Sequence, residues 1–190
     1  MIDAIVLAGG KTNAALASIS HKAYEAEIDI AGQTMIEYVL KALKQTGIID
    51  HIVVIGPPTL KLESIDSRIK VLHPDESMLG NLLKGMEFLN AAKHVLVVTC
   101  DIPLITSEAI LDFIENCRKQ EADIYYPVVS KAQNDQKYPG VKRTYVKFKE
   151  GIFTGGNIFI VNPAVIKNCL PKVEQAIALR KKPWSLCRML

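Results

Sequence analysis

The chain has 190 residues, 49% of them apolar and 23% charged, with a formal net charge of +3. That length holds one domain with a sizeable core, and that balance excludes a disordered chain. The basic excess is slight and is not gathered into a stripe, which argues against nucleic-acid binding and suits an anionic small molecule as partner.

The N-terminus, Met1-Ile2-Asp3-Ala4, lacks the basic start and apolar stretch of a secretory signal, and no apolar run nears the roughly 20 residues that span a bilayer. A cytoplasmic protein without a membrane partner is expected. The cysteines, Cys100, Cys117, Cys169 and Cys187, form no CxxC pair, so reduced buried thiols are expected rather than a zinc site.

In chain order, residues 4–7 form a compact apolar run that stops at Gly9-Gly10. Short Val- and Ile-rich runs with turn residues behind them read as strands buried on both faces. Two glycines directly after such a strand let the backbone turn sharply toward a ligand. Exposed amides there can bond phosphate oxygens, and Lys11 can neutralise them. The plain alternative is a strand-to-helix turn. The run matches neither GxGxxG nor GxxxxGK[ST].

Met35, Ile36, Val39, Leu40 and Leu43 share one helical face, with Gly47 as the stop. Residues 52–55 form the second strand. Pro74 to Asn81 leads into a second helix, whose face is Leu79, Leu82, Leu83, Met86 and Leu89. Ser77, Gly80 and Asn81 at that start could read a nucleobase edge; capping by Asp75 or Ser77 is the routine alternative.

Residues 95–99 form the third strand, ending at Cys100-Asp101-Ile102-Pro103-Leu104. A carboxylate just past a buried strand lies where open parallel sheets bind ligands, and it suits Mg²⁺, which takes hard oxygen donors. The alternative is that Asp101 caps the next helix, whose face is Ile110, Leu111, Ile114 and Cys117 and whose other caps are Thr106 and Ser107.

Residues 123–129, 144–149 and 157–161 look like strands, and residues 131–142 read as a loop or flap. Thr154-Gly155-Gly156 reads as a turn, with Asn157 offering an oxygen to a metal or a hydrogen bond to a substrate. Lys142, Arg143 and Lys147 face either an anionic acceptor or solvent. The four histidines show no ligand spacing. Residues 173–182 read as a helix. The apolar ending from Trp184 suits docking on the domain, a homodimer contact or the cut end of a longer chain.

Alternation of strand and helix predicts a three-layer, Rossmann-like α/β fold: a mixed, mainly parallel sheet with helices on both faces, in one domain over residues 1–190.

The order of these motifs resembles the nucleotidyltransferase superfamily with the GT-A-like fold, including the molybdenum-cofactor guanylyltransferase-like NTP transferase domains. The resemblance runs from about Met1 to Pro163. It implies that Leu7, Ala8, Gly9 and Gly10 line base and phosphates and that Ser77, Gly80 and Asn81 sit by the base. It also implies that Asp101 ligates Mg²⁺ (or Mn²⁺), with Asn157 near the place of a second ligand. The implied reaction moves an NMP group from an NTP to a small anionic, phosphorylated acceptor, releasing pyrophosphate, with Lys11, Lys22 and Asp101 as the catalytic side chains.

Two positions depart from the family pattern. No arginine follows Gly10 where relatives carry one, and Glu25 stands where relatives carry a lysine. A carboxylate there repels a triphosphate, so a non-catalytic nucleotide sensor of the same fold is the rival reading. A nucleotide-sugar glycosyltransferase would call for Asp-x-Asp, and the sequence has Asp101-Ile102-Pro103 instead.

Overall fold

A computed structural model describes residues 1–62, 66–91 and 93–168. The expected helix over 173–182 lies outside the described residues.

The first strand, β1 (Ile2–Leu7), buries Ala4, Ile5 and Val6 completely, because it sits in the middle of a sheet covered on both faces. One turn of helix, α1 (Ala14–Ala17), follows, capped by the Asn13 side chain. A small hairpin, β2 (Asp29–Ile30) and β3 (Gln33–Thr34), turns through Ala31 and Gly32, both with positive φ.

Helix α2 (Met35–Gln45) starts where Glu37 accepts from both the Thr34 amide (2.6 Å) and its hydroxyl (2.7 Å). It stops before Gly47, whose φ of +68° ends the helix in the left-handed region, as its glycine predicts. Then come β4 (Ile49–Ile55), β5 (Ile69–Leu72), α3 (Met78–Phe88), β6 (Val95–Thr99) and α4 (Ser107–Cys117).

The last third is β7 (Ile124–Tyr125), β8 (Val128–Ser130), α5 (Lys131–Lys137), β9 (Val146–Phe148), β10 (Gly151–Gly155), β11 (Ile158–Val161) and α6 (Pro163–Asn168).

The main sheet has the order β5-β4-β1-β6-β11-β7. Strands β5, β4, β1 and β6 run parallel, and β11 pairs antiparallel with both β6 and β7. The expected mixed, mainly parallel sheet is therefore present. One apolar cluster joins its inner face to α2 and α4 through Ile36, Leu43, Ile110 and Ile114. The other joins the opposite face to α3 through Leu79, Leu82 and Met86. Gly85 lets α3 approach closely, since a Cβ there would stand 2.9 Å from the Ile5 side chain.

Three expectations need correction. The single strand over 123–129 is two strands in different sheets, and Tyr126-Pro127 crosses between them; proline has no amide to give a ladder. The flap over 131–142 contains α5, which Ser130 caps and a Lys131–Asp135 ion pair one turn apart supports. Thr154 and Gly155 are not a turn but the end of β10, the middle strand of a second, antiparallel sheet β8-β10-β9. Strand β5, four residues long, and the two-residue strands of the β2–β3 hairpin are too short to be recognised by periodicity.

Candidate active site

Strand ends meet at one rim of the main sheet. The Cys100 amide donates to the Leu7 carbonyl (3.1 Å), and the Ala8 amide to the Ile55 carbonyl (2.7 Å). The Thr99 amide donates to the Asn157 carbonyl (3.0 Å), because antiparallel β11 begins beside the end of β6. The turn at residues 7–10, Asp101 and Asn157 thus share the carboxyl rim of the parallel strands, where such sheets bind ligands.

Leu7 and Ala8 contribute their backbone to the sheet, and the Ala8 side chain is buried. The two glycines beyond them have different tasks. A Cβ on Gly9 would stand 2.8 Å from Cβ of Pro74, so the connection from β5 to α3 lies directly on the turn. Gly10 is open; the nearest atom to a Cβ there is Oε2 of Glu25, at 3.7 Å. Among the described residues, no hydrogen bond uses the amides of Gly9 or Gly10. Adjacent free amides of this kind suit phosphate oxygens.

Asn81 borders the same turn. Its Oδ1 accepts from the Asp75 amide (2.6 Å), and its Nδ2 lies 3.8 Å from the Cβ position of Gly9. Lys84 steadies this loop through Asp75 (2.7 Å) and the His73 carbonyl (2.9 Å). Ser77 caps α3 by accepting from the Gly80 amide (2.9 Å), and a Cβ on Gly80 would stand 3.0 Å from that hydroxyl. The room at Gly80 therefore belongs to the cap.

Beyond Gly10 the chain pairs with residues 22–25. Lys11 bridges Tyr24, the Thr12 hydroxyl donates to the Lys22 carbonyl (2.6 Å), and the Glu25 amide donates to the Gly10 carbonyl (3.0 Å). Lys11 and Lys22 are exposed beside the turn. Glu25 is half-buried, and Asn13 donates to its Oε1 (3.0 Å), which fixes the carboxylate beside Gly10.

Asp101 is exposed, and its Oδ1 accepts from the Thr99 hydroxyl and from Nδ2 of Asn157 (3.0 Å). It does not cap α4; Thr106 does, accepting from the Ala109 amide (3.2 Å). Between them, Cys100 is buried and its thiol is pushed up to about 12, chiefly by burial and then by the charges of Asp101 and Glu25.

Next to Asp101 opens a cleft of about 1010 Å³, walled by Ile102 to Ile105 on one side and by α5, the loop after it and β10 on the other. Arg143 lines it, donating from Nε to the Thr154 hydroxyl (3.3 Å) and from Nη2 to the Gly155 carbonyl (3.2 Å). Lys142 and Lys147 are not among its lining residues. The contact of Pro74 with Gly9, the bond from Thr99 to Asp101 and this cleft are not announced by the sequence motifs. Thr99 was legible in principle, since strand alternation puts positions 99 and 101 on one side.

At the opposite end of the sheet, Asp3, Asp50 and His51 bring their ligand atoms within 4.8 Å of one another, a grouping no sequence spacing announces. No helix among the described residues is long and apolar enough to cross a membrane.

Residues 4–188 match the family model of the MobA-like NTP transferase domain. The chain belongs to that family. The bifunctional protein GlmU of Syntrophomonas wolfei is 30% identical over 128 residues, which are 64% of this chain and 27% of that protein. GlmU of Clostridium novyi is 33% identical over 127 residues, 63% of this chain and 26% of that protein. The MobA-like chain thus spans about a quarter of the length of these curated relatives.

Among solved structures, a hypothetical transferase from Thermus thermophilus is 34% identical, with a TM-score of 0.80 over 98% of this chain and 76% of that one. A CMP:2-keto-3-deoxy-manno-octonic acid synthetase complexed with CTP shares the fold, with a TM-score of 0.67 at 15% identity over 100% of this chain and 87% of that one. The nucleotidyltransferase class and the Rossmann-like sheet expected from the motifs are both correct.

Proposed function

We propose that this MobA-like domain transfers an NMP group from an NTP to a small phosphorylated acceptor, and that residues 1–190 act as one domain. The carrying observation is the 3.1 Å bond from the Cys100 amide to the Leu7 carbonyl, which joins the free glycine amides and the Asp101 carboxylate at one rim. The amides of Gly9 and Gly10 bind phosphate oxygens, and Lys11 and Lys22 stand beside them as counter-charges for the departing pyrophosphate. Asn81, held by Asp75, borders the base.

The donor set at Asp101 fits a hard divalent cation, Mg²⁺ or Mn²⁺: an exposed carboxylate with a hydroxyl and an amide side chain beside it. Half a turn of the Asn157 amide would offer its oxygen to the same ion. When bound, such an ion supplies charge neutralisation at the α-phosphate and the acceptor phosphate. The chain's own residues position the partners for in-line attack and need form no covalent bond.

The test is a thermal-shift survey of each NTP with and without Mg²⁺, followed by pyrophosphate release with candidate acceptors. Asp101→Ala is expected to lose at least about a hundredfold in turnover, the scale of losing a principal electrostatic stabiliser. Full activity in that variant sinks the assignment.

One observation favours a second reading. The Glu25 carboxylate beside Gly10 opposes an incoming triphosphate, which suits a domain that senses nucleotide without turning it over. NTP binding with no pyrophosphate from any acceptor supports that reading.

A further inference from the structure

The cleft beside Asp101 has walls that discriminate among acceptors. Leu104 on one wall is 76% exposed, and Tyr138 and Val141 on the facing wall are 41% and 51% exposed. Large apolar side chains left open on both sides of one concave surface mark a place where apolar ligand surface is buried.

Several polar groups of the facing wall are already bonded within the protein. Thr154 and the Gly155 carbonyl accept from Arg143. Asn134 donates to the Tyr145 hydroxyl (2.9 Å), and Gln133 Oε1 accepts from the Ser130 hydroxyl (3.0 Å). A sugar ring needs a partner for nearly every hydroxyl it takes out of water. Asn134, Thr154 and the Gly155 carbonyl already have partners in the protein.

Charge places the other end of the ligand. A guanidinium has five N–H donors, and the two bonds to Thr154 and Gly155 leave Arg143 with others for an anion. Lys137 adds a second positive charge, and Asp101 is the one acidic residue among the described lining residues.

We infer that the acceptor is a phosphomonoester of an apolar or aromatic alcohol rather than a sugar phosphate. Its body lies against Leu104, Tyr138 and Val141, and its phosphate between Arg143 and Asp101. This rests on the nucleotidyl-transfer reading above. An oxygen of the acceptor phosphate bonds to the α-phosphorus of the NTP. The bridge from α- to β-phosphorus breaks, and its electron pair leaves with pyrophosphate. The product is a diphosphate joining the alcohol to the nucleoside, and no net proton is gained or lost.

The test is direct binding of naphthyl phosphate and of glucose 1-phosphate to the full chain, by calorimetry. Each is titrated with Mg²⁺ alone and with Mg²⁺ plus a non-hydrolysable NTP analogue. Naphthyl phosphate is expected to bind at least about tenfold more tightly, the scale of burying part of one apolar side chain's worth of surface. Leu104→Ser, at an exposed position that folding does not depend on, is expected to weaken naphthyl phosphate about tenfold and to leave glucose 1-phosphate unchanged.

Arg143→Gln is expected to weaken naphthyl phosphate but not uncharged naphthol. Equal or tighter binding of the sugar phosphate overturns the inference, as does binding of neither probe under both conditions or an indifferent Leu104→Ser. The nucleotide titration keeps the two ideas apart. A chain that binds every NTP analogue but prefers the sugar phosphate retains transfer and loses the apolar acceptor. A chain that binds naphthyl phosphate through Leu104 and Arg143 but no nucleotide loses transfer.

Discussion

Asn157 points its amide nitrogen at Oδ1 of Asp101 from 3.0 Å away, across 56 residues of chain. The two meet because β11 enters the sheet antiparallel to β6, so the start of one strand lies beside the end of the other. The donated hydrogen bond sets the positive end of the amide dipole against the carboxylate. Replacing the amide with a second carboxylate reverses this, since like charges at such a distance oppose one another. Asn157→Asp is therefore expected to melt lower than the parent in EDTA and to gain more from Mg²⁺. Thermal melts with EDTA and with Mg²⁺ check it, and an Mg²⁺ gain no larger than the parent's removes the cation from this place.

Gly9 and Gly10 separate a packing task from a binding task. A methyl group on Gly9 would stand 2.8 Å from Pro74, backed by a loop that Asn81 and Lys84 hold. Gly9→Ala is expected to cost about 1–3 kcal/mol of stability, the range for overpacking a fixed contact. Gly10→Ala meets nothing closer than the Glu25 carboxylate at 3.7 Å. It is expected to keep its stability within about 0.5 kcal/mol while weakening NTP binding, because the methyl crowds the free amides. Urea unfolding and nucleotide titration on the two variants decide; identical behaviour of both contradicts the division.

The sequence exposed the strand ends because strands buried on both faces read as short apolar runs, and residues 95–99 agree with β6 to the residue. It exposed Asp101 because a carboxylate after such a run is conspicuous. It hid what builds the acceptor side. The pairing of β8 with β10 joins residues that no local pattern connects, such as Val129 opposite Thr154. The run from Lys131 to Lys137 has no apolar stripe, since α5 is held by its cap and its ion pair rather than by a buried face. The sequence shows Gly9 as a sharp turn toward a ligand, and it hides that the turn also packs on Pro74, which lies 65 positions along the chain.

Away from the site, the Arg68 guanidinium bonds both oxygens of Asp66 (3.2 and 3.0 Å) and, with the Arg68 amide and the Lys44 charge, holds its carboxyl well below the usual range. A carboxyl whose folded-state pKa is depressed adds stability above its unfolded value and loses it as the pH falls toward the folded one. Asp66→Asn is thus expected to be less stable than the parent at pH 7, with the gap closing as the pH drops through the carboxylate range. Urea unfolding at neutral pH and near pH 3 checks this. A gap that widens in acid has the wrong sign for this ion pair.

Glu25 offers the sharpest decision between turnover and sensing. Asn13 fixes its carboxylate beside Gly10, where the resemblance to active relatives calls for a lysine. If a triphosphate binds at the glycine amides, this charge repels it, and removing the charge without changing the shape must tighten binding. At an effective dielectric of about 20, a unit charge several ångströms away is worth enough to expect about a tenfold gain in NTP affinity for Glu25→Gln. Glu25→Lys is expected to gain more, and the gain should shrink as salt is raised. Titrations with and without Mg²⁺ measure both. Tighter binding that brings faster pyrophosphate release means the parent is an enzyme tuned for weak nucleotide binding. Tighter binding that leaves release absent favours the sensor. Unchanged affinity in both variants places the triphosphate somewhere other than the turn at Gly9 and Gly10.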